Sequence, residues 1–123
     1  MTTIKSYTDI EQSKKLAGLL PIESADMYWY LAIKGNPRVA FNEGYNEYGD
    51  FELPCWSLAA LLGVLPKNLN IGRPSLESNY NGYYWIQYYD EFMNPNNYKT
   101  ECFNDSVDAC YEMIIKLNEL KML

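Results

Sequence analysis

Residues 54–61, PCWSLAAL, place a cysteine and a tryptophan at the start of an apolar run. A thiol at a helix N-terminus has a lowered pKa and gains nucleophilic character, so Cys55 is the first residue to weigh for chemistry. A thiol nucleophile also needs a proton acceptor and an oxyanion site. The chain contains no histidine. That removes the Ser-His-Asp and Cys-His pairings, every His-ligated metal site and the usual neutral-pH acid–base group. The sequence offers no replacement base near Cys55, and free cysteine is among the most buried residue types. Cys55 therefore reads as an inert core thiol.

Other candidate chemistries are thinner. Cys55, Cys102 and Cys110 are odd in number and form no CxxC. They fit neither a zinc site nor a disulfide framework, and they suit a reducing cytoplasm. Asn42, Glu43, Asn46, Glu47, Asp50 and Glu52 offer oxygen ligands, but no calcium-loop pattern is present. They read as a solvated acidic loop. Gly72 and Gly82 are isolated turn glycines, and no phosphate-binding loop occurs. Two carboxylate pairs remain, Glu23 with Asp26 and Asp90 with Glu91. Paired carboxylates serve glycoside hydrolysis, but Glu23 and Ser24 equally suit bonds to neighbouring backbone. No cofactor is expected.

The aromatic stretch Tyr83–Tyr89, YYWIQYY, is the richest feature. Alternation along a strand puts Tyr83, Trp85, Gln87 and Tyr89 on one face and Tyr84, Ile86 and Tyr88 on the other. One face packs on helices, and the other is free to bind unless the strand is covered on both sides. Tyr and Trp are enriched at interface hot spots. The expected anchors are Tyr83, Trp85, Tyr89 and, from the Phe41–Phe51 segment, Tyr48. Asp90 and Glu91 add hydrogen-bond acceptors at the strand end.

The elements that must position these residues follow from local pattern. Thr8-Asp-Ile-Glu11 has the form of a capping box opening a helix over 8–19, which Pro21 stops. Residues 26–33 read as a strand and 39–41 as a short one, within a long loop over 38–51. Pro54 suits the first turn of a second helix. That helix is apolar nearly all round and is expected to be the most buried. Leu62 is placed in its core face, where truncation to Ala costs about 2–5 kcal/mol. Residues 76–80 and 83–92 flank Asn81-Gly82, a type I′ hairpin signal, and 98–103 returns as a further strand. Val107, Cys110, Met113, Ile114, Leu117 and Leu120 mark a last amphipathic helix. Helix, strand, helix, strands, helix implies an α+β domain over 1–123, with three helices packed on an antiparallel sheet of three to five strands.

Composition agrees. Apolar residues make up 48% and charged residues 21%, enough to build a core. Tyrosine stands out, with 12 residues beside 3 Trp and 4 Phe, which favours strands and half-buried surfaces. A formal charge of −6 leaves no phosphate-binding footprint, so nucleic acid is not an expected partner. No apolar run is long enough to span a bilayer, and the first fifteen residues carry no signal-peptide h-region. A cytoplasmic protein is expected.

The blocks EQSKKLAGLLPIESADM (11–27), PCWSLAALLGVLP (54–66) and DACYEMIIKLNEL (108–120) resemble a family of short uncharacterised proteins from anaerobic gut bacteria, their phages and mobile elements. They cover about a third of the chain. The resemblance implies a cytoplasmic protein and transfers no catalytic residue. Taken together, the residues point to a non-enzymatic domain that binds a protein, or a second copy of itself, through an aromatic and acidic surface. A small-ligand or carbohydrate module using the same aromatics with Asp90 or Glu91 is the alternative. A carboxylate-dependent hydrolase is the third reading.

Overall fold

A computed structural model describes residues 5–31, 37–41, 51–68 and 70–123. The elements in chain order are α1 (Ile10–Ala17), β1 (Met27–Leu31), β2 (Arg38–Phe41), β3 (Phe51–Cys55), α2 (Leu58–Val64), β4 (Arg73–Ser78), β5 (Tyr84–Tyr89), β6 (Pro95–Lys99) and α3 (Ser106–Glu119). The fold is α+β. The strands form two three-stranded antiparallel sheets, ordered β2-β1-β3 and β4-β5-β6.

The start of α1 turns on Thr8. Its hydroxyl bonds Ser13 Oγ at 2.8 Å and accepts from Trp56 N at 3.1 Å. It is therefore not available to cap a helix. Asp9 takes that role, accepting from Gln12 N while Gln12 Oε1 accepts from Asp9 N. The capping box thus lies one residue later than Thr8 and Glu11 suggested, and α1 starts at Ile10. Thr8 N also donates to Trp56 O at 2.9 Å, and Thr8 O accepts from Trp29 Nε1 at 3.0 Å.

These bonds lie against β3, a strand that the expected loop and helix boundaries hid. Pro54 does not open a helix; it sits in β3 opposite Tyr28. Pro54 shares the parity of Trp56, whose N–H and C=O both turn to Thr8 and away from β1. The missing N–H of Pro54 therefore faces outward, the position an edge strand allows. Met27, Leu53 and Cys55 are buried on the inward face, against which α1 packs.

Helix α2 begins at Leu58 because Ser57 caps it, its Oγ accepting from Ala60 N at 3.2 Å. Asp26 holds Ser57 in place through Ser57 N at 2.9 Å and Oγ at 2.5 Å. The expectation that α2 is the most buried helix is corrected. In α2 only Leu61 is buried, whereas α3 buries Val107, Ala109, Cys110, Met113, Ile114 and Leu117. The cause is placement: α3 packs on α2 and on β5, while α2 leaves Ala59 and Gly63 exposed.

The second sheet is a meander. Ile86 and Tyr88 are fully buried in the same cluster as Cys110, Met113, Ile114 and Leu117. The first turn is not type I′. Its loop is Tyr80-Asn81-Gly82, with only Gly82 at positive φ (83°). Asn79 Oδ1 accepts from Asn81 N at 3.0 Å and Tyr83 N at 3.1 Å, which stabilises this longer loop. The longer loop ends β4 at Ser78 rather than Tyr80, and pairing of Arg73 with Tyr89 starts it three residues before Leu76.

Two stability outcomes are expected. Leu61 is fully buried and Leu62 only half-buried. Thermal or urea unfolding should give Leu61→Ala a loss of about 2–5 kcal/mol and Leu62→Ala a smaller one; equal losses would contradict the placement of α2. Thr8→Val keeps shape but strips the hydroxyl from Trp56 N and Ser13. It should cost about 1–3 kcal/mol in the same measurement, and an unchanged midpoint would mean that the seam carries no load.

Candidate functional site

Strand β5 carries two of the expected anchors, Trp85 and Tyr89, and α3 decides which of its faces is open. With Ile86 and Tyr88 against the helix, Trp85, Gln87 and Tyr89 lie on the outer face. The register extends that face: Trp85 stands opposite Glu77, Gln87 opposite Ser75 and Lys99, and Tyr89 opposite Arg73. Lys99 Nζ lies 5.9 Å from the Trp85 ring centroid, within cation–π range. The Tyr89 hydroxyl donates to Glu77 Oε1, four residues along β4 from Tyr89's own partner. The ring therefore runs along the sheet over Ser75 and Gln87, which accounts for the burial of Gln87 on an outward face. Bonding to the Glu77 carboxylate holds the phenol proton and pushes the Tyr89 pKa up.

Gln87 has a structural duty. Its register with β6 is irregular between Gln87 and Tyr89. The Gln87 amide donates to Tyr88 O at 2.7 Å and Asn96 O at 3.0 Å, satisfying carbonyls near the irregularity.

The far end of β5 turns at Asp90–Asn94 in the same geometry as the Asn79–Tyr83 loop. Asp90 Oδ1 accepts from Phe92 N and Asn94 N, both at 2.9 Å, and Met93 N donates to Asp90 O at 3.0 Å. Where the first loop has Gly82 at positive φ, this one has Met93 at φ 66°. Phe92 is 76% exposed and Met93 60% exposed. Arg73 Nη2 contacts Met93 Sδ at 3.0 Å.

Two open grooves flank Tyr89 and Arg73. One, of about 300 Å³, is lined by Lys67, Asn68, Gly72, Arg73, Tyr89, Asp90 and Glu91. The other, of about 240 Å³, runs along Arg73, Pro74, Ser75, Tyr89 and Met93. Gly72 has φ +93°, and a Cβ there would lie 2.3 Å from Tyr89 O. Only glycine lets the chain come that close to β5.

The structure brings Tyr89, Asp90 and Glu91 together at the first groove and leaves Trp85 and Tyr83 elsewhere. Trp85 is half-buried mid-strand, and Tyr83 is 41% exposed at the opposite end of β5. Five residues of extended chain separate Trp85 from Asp90, about 17 Å. Tyr48 lies outside the described residues, as does most of the acidic 41–51 segment. The carboxyl of Asp90 is committed to its turn, while Glu91 is exposed. Lys67, Gly72, Arg73, Phe92 and Met93 were missed. The signal for Arg73 was its register with Tyr89, which follows once β4 is begun three residues earlier.

The other candidates serve structure. Cys55 is fully buried, and burial pushes its thiol pKa up. Its Sγ lies 3.4 Å from Thr8 O and 3.6 Å from Thr8 Oγ1. It sits in β3, so no helix N-terminus activates it. Cys110 is likewise buried and its pKa is pushed up to about 12. Asp26 binds Ser57, and Glu23 is exposed. Among the described residues, no group of three Cys, Asp or Glu side chains is placed to hold a metal ion. No helix among them is long and apolar enough to cross a membrane. No protein-family model matches the chain, and no curated protein or solved structure matches it.

Native-state alkylation at pH 8 should modify the exposed Cys102 at the rate of a small thiol. Cys55 and Cys110 should react more than about tenfold slower, since both are buried and more fully protonated. Cys55 matching Cys102 would reopen its reading as a nucleophile.

Proposed function

We propose that the chain is a non-enzymatic domain that binds a protein partner through the outer face of the second sheet and its Asp90–Asn94 loop. The observation that carries this is Met93. A side-chain-bearing residue in the left-handed region costs roughly 1–2 kcal/mol, which glycine avoids. The matching loop at the other end of β5 uses Gly82. Met93 gains little burial to offset that cost: it is 60% exposed beside Phe92, and its described polar contact is Arg73 Nη2 on its Sδ. Strained residues that packing does not explain are concentrated at functional sites. Methionine and aromatic side chains are also enriched at protein interfaces. Tyr89, Arg73 and the groove beside them continue the surface toward Trp85.

The non-enzymatic reading is supported by the absence of histidine and by the engagement of two of the three carboxylates at this surface, Glu91 being the free one. Glu77 accepts from Tyr89, and Asp90 from its own turn. Cytoplasmic placement and membership of the gut-bacterial and phage family stay part of the proposal. The free thiols and the three sequence blocks support them. A small polar or carbohydrate ligand is the second reading. The groove of about 300 Å³ lined by Tyr89, Asp90, Glu91, Lys67 and Arg73 favours it.

The test is affinity capture from a lysate of the source cell by wild type, Met93→Gly and Trp85→Ala/Tyr89→Ala, read by mass spectrometry. One protein should be retained by wild type and reduced by about tenfold or more with Met93→Gly, a loss of about 1.4 kcal/mol. Met93→Gly should melt no lower than wild type. A partner held equally by all three proteins, or none at all, sinks the reading. Calorimetric titration with neutral sugars then addresses the second.

A further inference from the structure

The two edges of the second sheet differ. β6 is blunted: it starts at Pro95 and pairs irregularly with β5. β4 pairs with β5 without a break from Arg73 to Ser78, and no described strand covers its other side. The register defines what that side offers. Asn79 N donates to Tyr83 O, so alternation turns the N–H and C=O of Arg73, Ser75 and Glu77 toward β5. The groups of Leu76 and Ser78, with the C=O of Pro74, face out. β5 agrees, because Tyr84 and Ile86, opposite Ser78 and Leu76, bond to Phe103 and Thr100 on the far side. None of the outward β4 groups bonds to another described residue.

We propose that β4 pairs antiparallel with β4 of a second copy, about a two-fold axis through Leu76, joining the two sheets into one. This rests on the backbone register of β4; it shares Arg73 and Glu77 with the outer sheet face but makes no use of Met93. Any register centred on a residue keeps the bonding parity across the edge, and the one centred on Pro74 is excluded because it sets two prolines, both without N–H, opposite each other. Centred on Ser75, the missing N–H of Pro74 falls opposite Leu76 and leaves that carbonyl unpaired mid-strand. Centred on Glu77, two like charges stand directly opposite each other. Centred on Leu76, Leu76 N–H meets Leu76 O in both directions, and Ser78 N–H meets Pro74 O in both directions. Only the carbonyl of Ser78 lacks a partner, at an exposed strand end that water reaches. Ser75 then faces Glu77, and Arg73 reaches the same carboxylate diagonally, so the outer side chains are complementary in charge. The half-buried Leu76 side chains pack on each other. Tyr80, fully exposed in one chain, comes opposite Gly72 of the second copy, at the groove between Lys67 and Asp90. An isologous contact of this kind closes at two copies.

The test is sedimentation velocity of the full chain from about 1 µM to about 1 mM, with Ser78→Pro and Ser78→Ala. Wild type and Ser78→Ala should dimerise. Ser78→Pro, which loses the edge N–H, should weaken the dimer by about tenfold or more. Met93→Gly should leave it intact, which separates this proposal from the partner surface. Register is read independently by diamide oxidation in a Cys102→Ser background. Leu76→Cys should give a disulfide-linked dimer, and Ser75→Cys and Glu77→Cys should give little. This arm decides the matter if Ser78→Pro fails to fold. Wild type monomeric throughout the range, a dimer indifferent to a folded Ser78→Pro, or stronger crosslinking at 75 or 77 than at 76 would overturn the proposal.

Discussion

Thr8 is the polar junction on which the packing of this chain depends. It is fully buried, yet its N–H, carbonyl and hydroxyl are all engaged, with Trp56, Trp29, Ser13 and Cys55. A buried group stripped of its partner costs about 1–3 kcal/mol, whereas a made bond gains about 0.5–1.5 kcal/mol. The asymmetry holds the N-terminal segment against the end of β3 and fixes Trp56 in the core. Three residues earlier, Lys5 N donates to Asp105 at 2.6 Å and Lys5 Nζ meets Asp108 at 2.5 Å. Asp105 is also the N-cap of α3. One short segment therefore ties the first sheet, α1 and α3 together.

That tie sets the rest of the architecture. Once α3 is anchored at its N-terminus, its apolar stripe lies between α2 and β5. The inner face of β5 is then dry, and the outer face is left to residues with apolar bodies and polar tips. Trp85 is covered on one side by Lys99, and Tyr89 lies along the sheet to Glu77. The surface that results is amphipathic rather than greasy. Its ring faces are apolar while their polar tips stay hydrated.

What could be read from the chain beforehand were the features set by near neighbours. The stripe of α3, the alternation of β5 and a turn near Asn81-Gly82 all follow from spacings of a few residues. The missed features depend on distant partners. Thr8 looked like a cap because nothing local shows that Trp56, 48 residues away, claims its hydroxyl. Pro54 looked like a helix start because the exemption for an edge strand depends on which side β1 lies. The burial of α2 was overestimated because its apolar composition does not reveal that α3 covers only one side of it. The groove was half legible. Tyr89, Asp90 and Glu91 were identified from their types, while Lys67, Gly72 and Arg73 join them only through the β4–β5 register.

The same division by sequence distance has a consequence for how the chain loses entropy as it folds. The second sheet is a run of consecutive hairpins, each closed by a loop of a few residues. The Thr8–Trp56 bond closes a separation of 48 residues, and the Lys5–Asp105 bond one of 100. Closure entropy grows with the logarithm of loop length, and contact order slows folding. The outer face of the second sheet, where binding is proposed, is thus built from the part of the chain that is least costly to order, while the N-terminal clamp, made of the most distant contacts, carries the larger share of the topological cost.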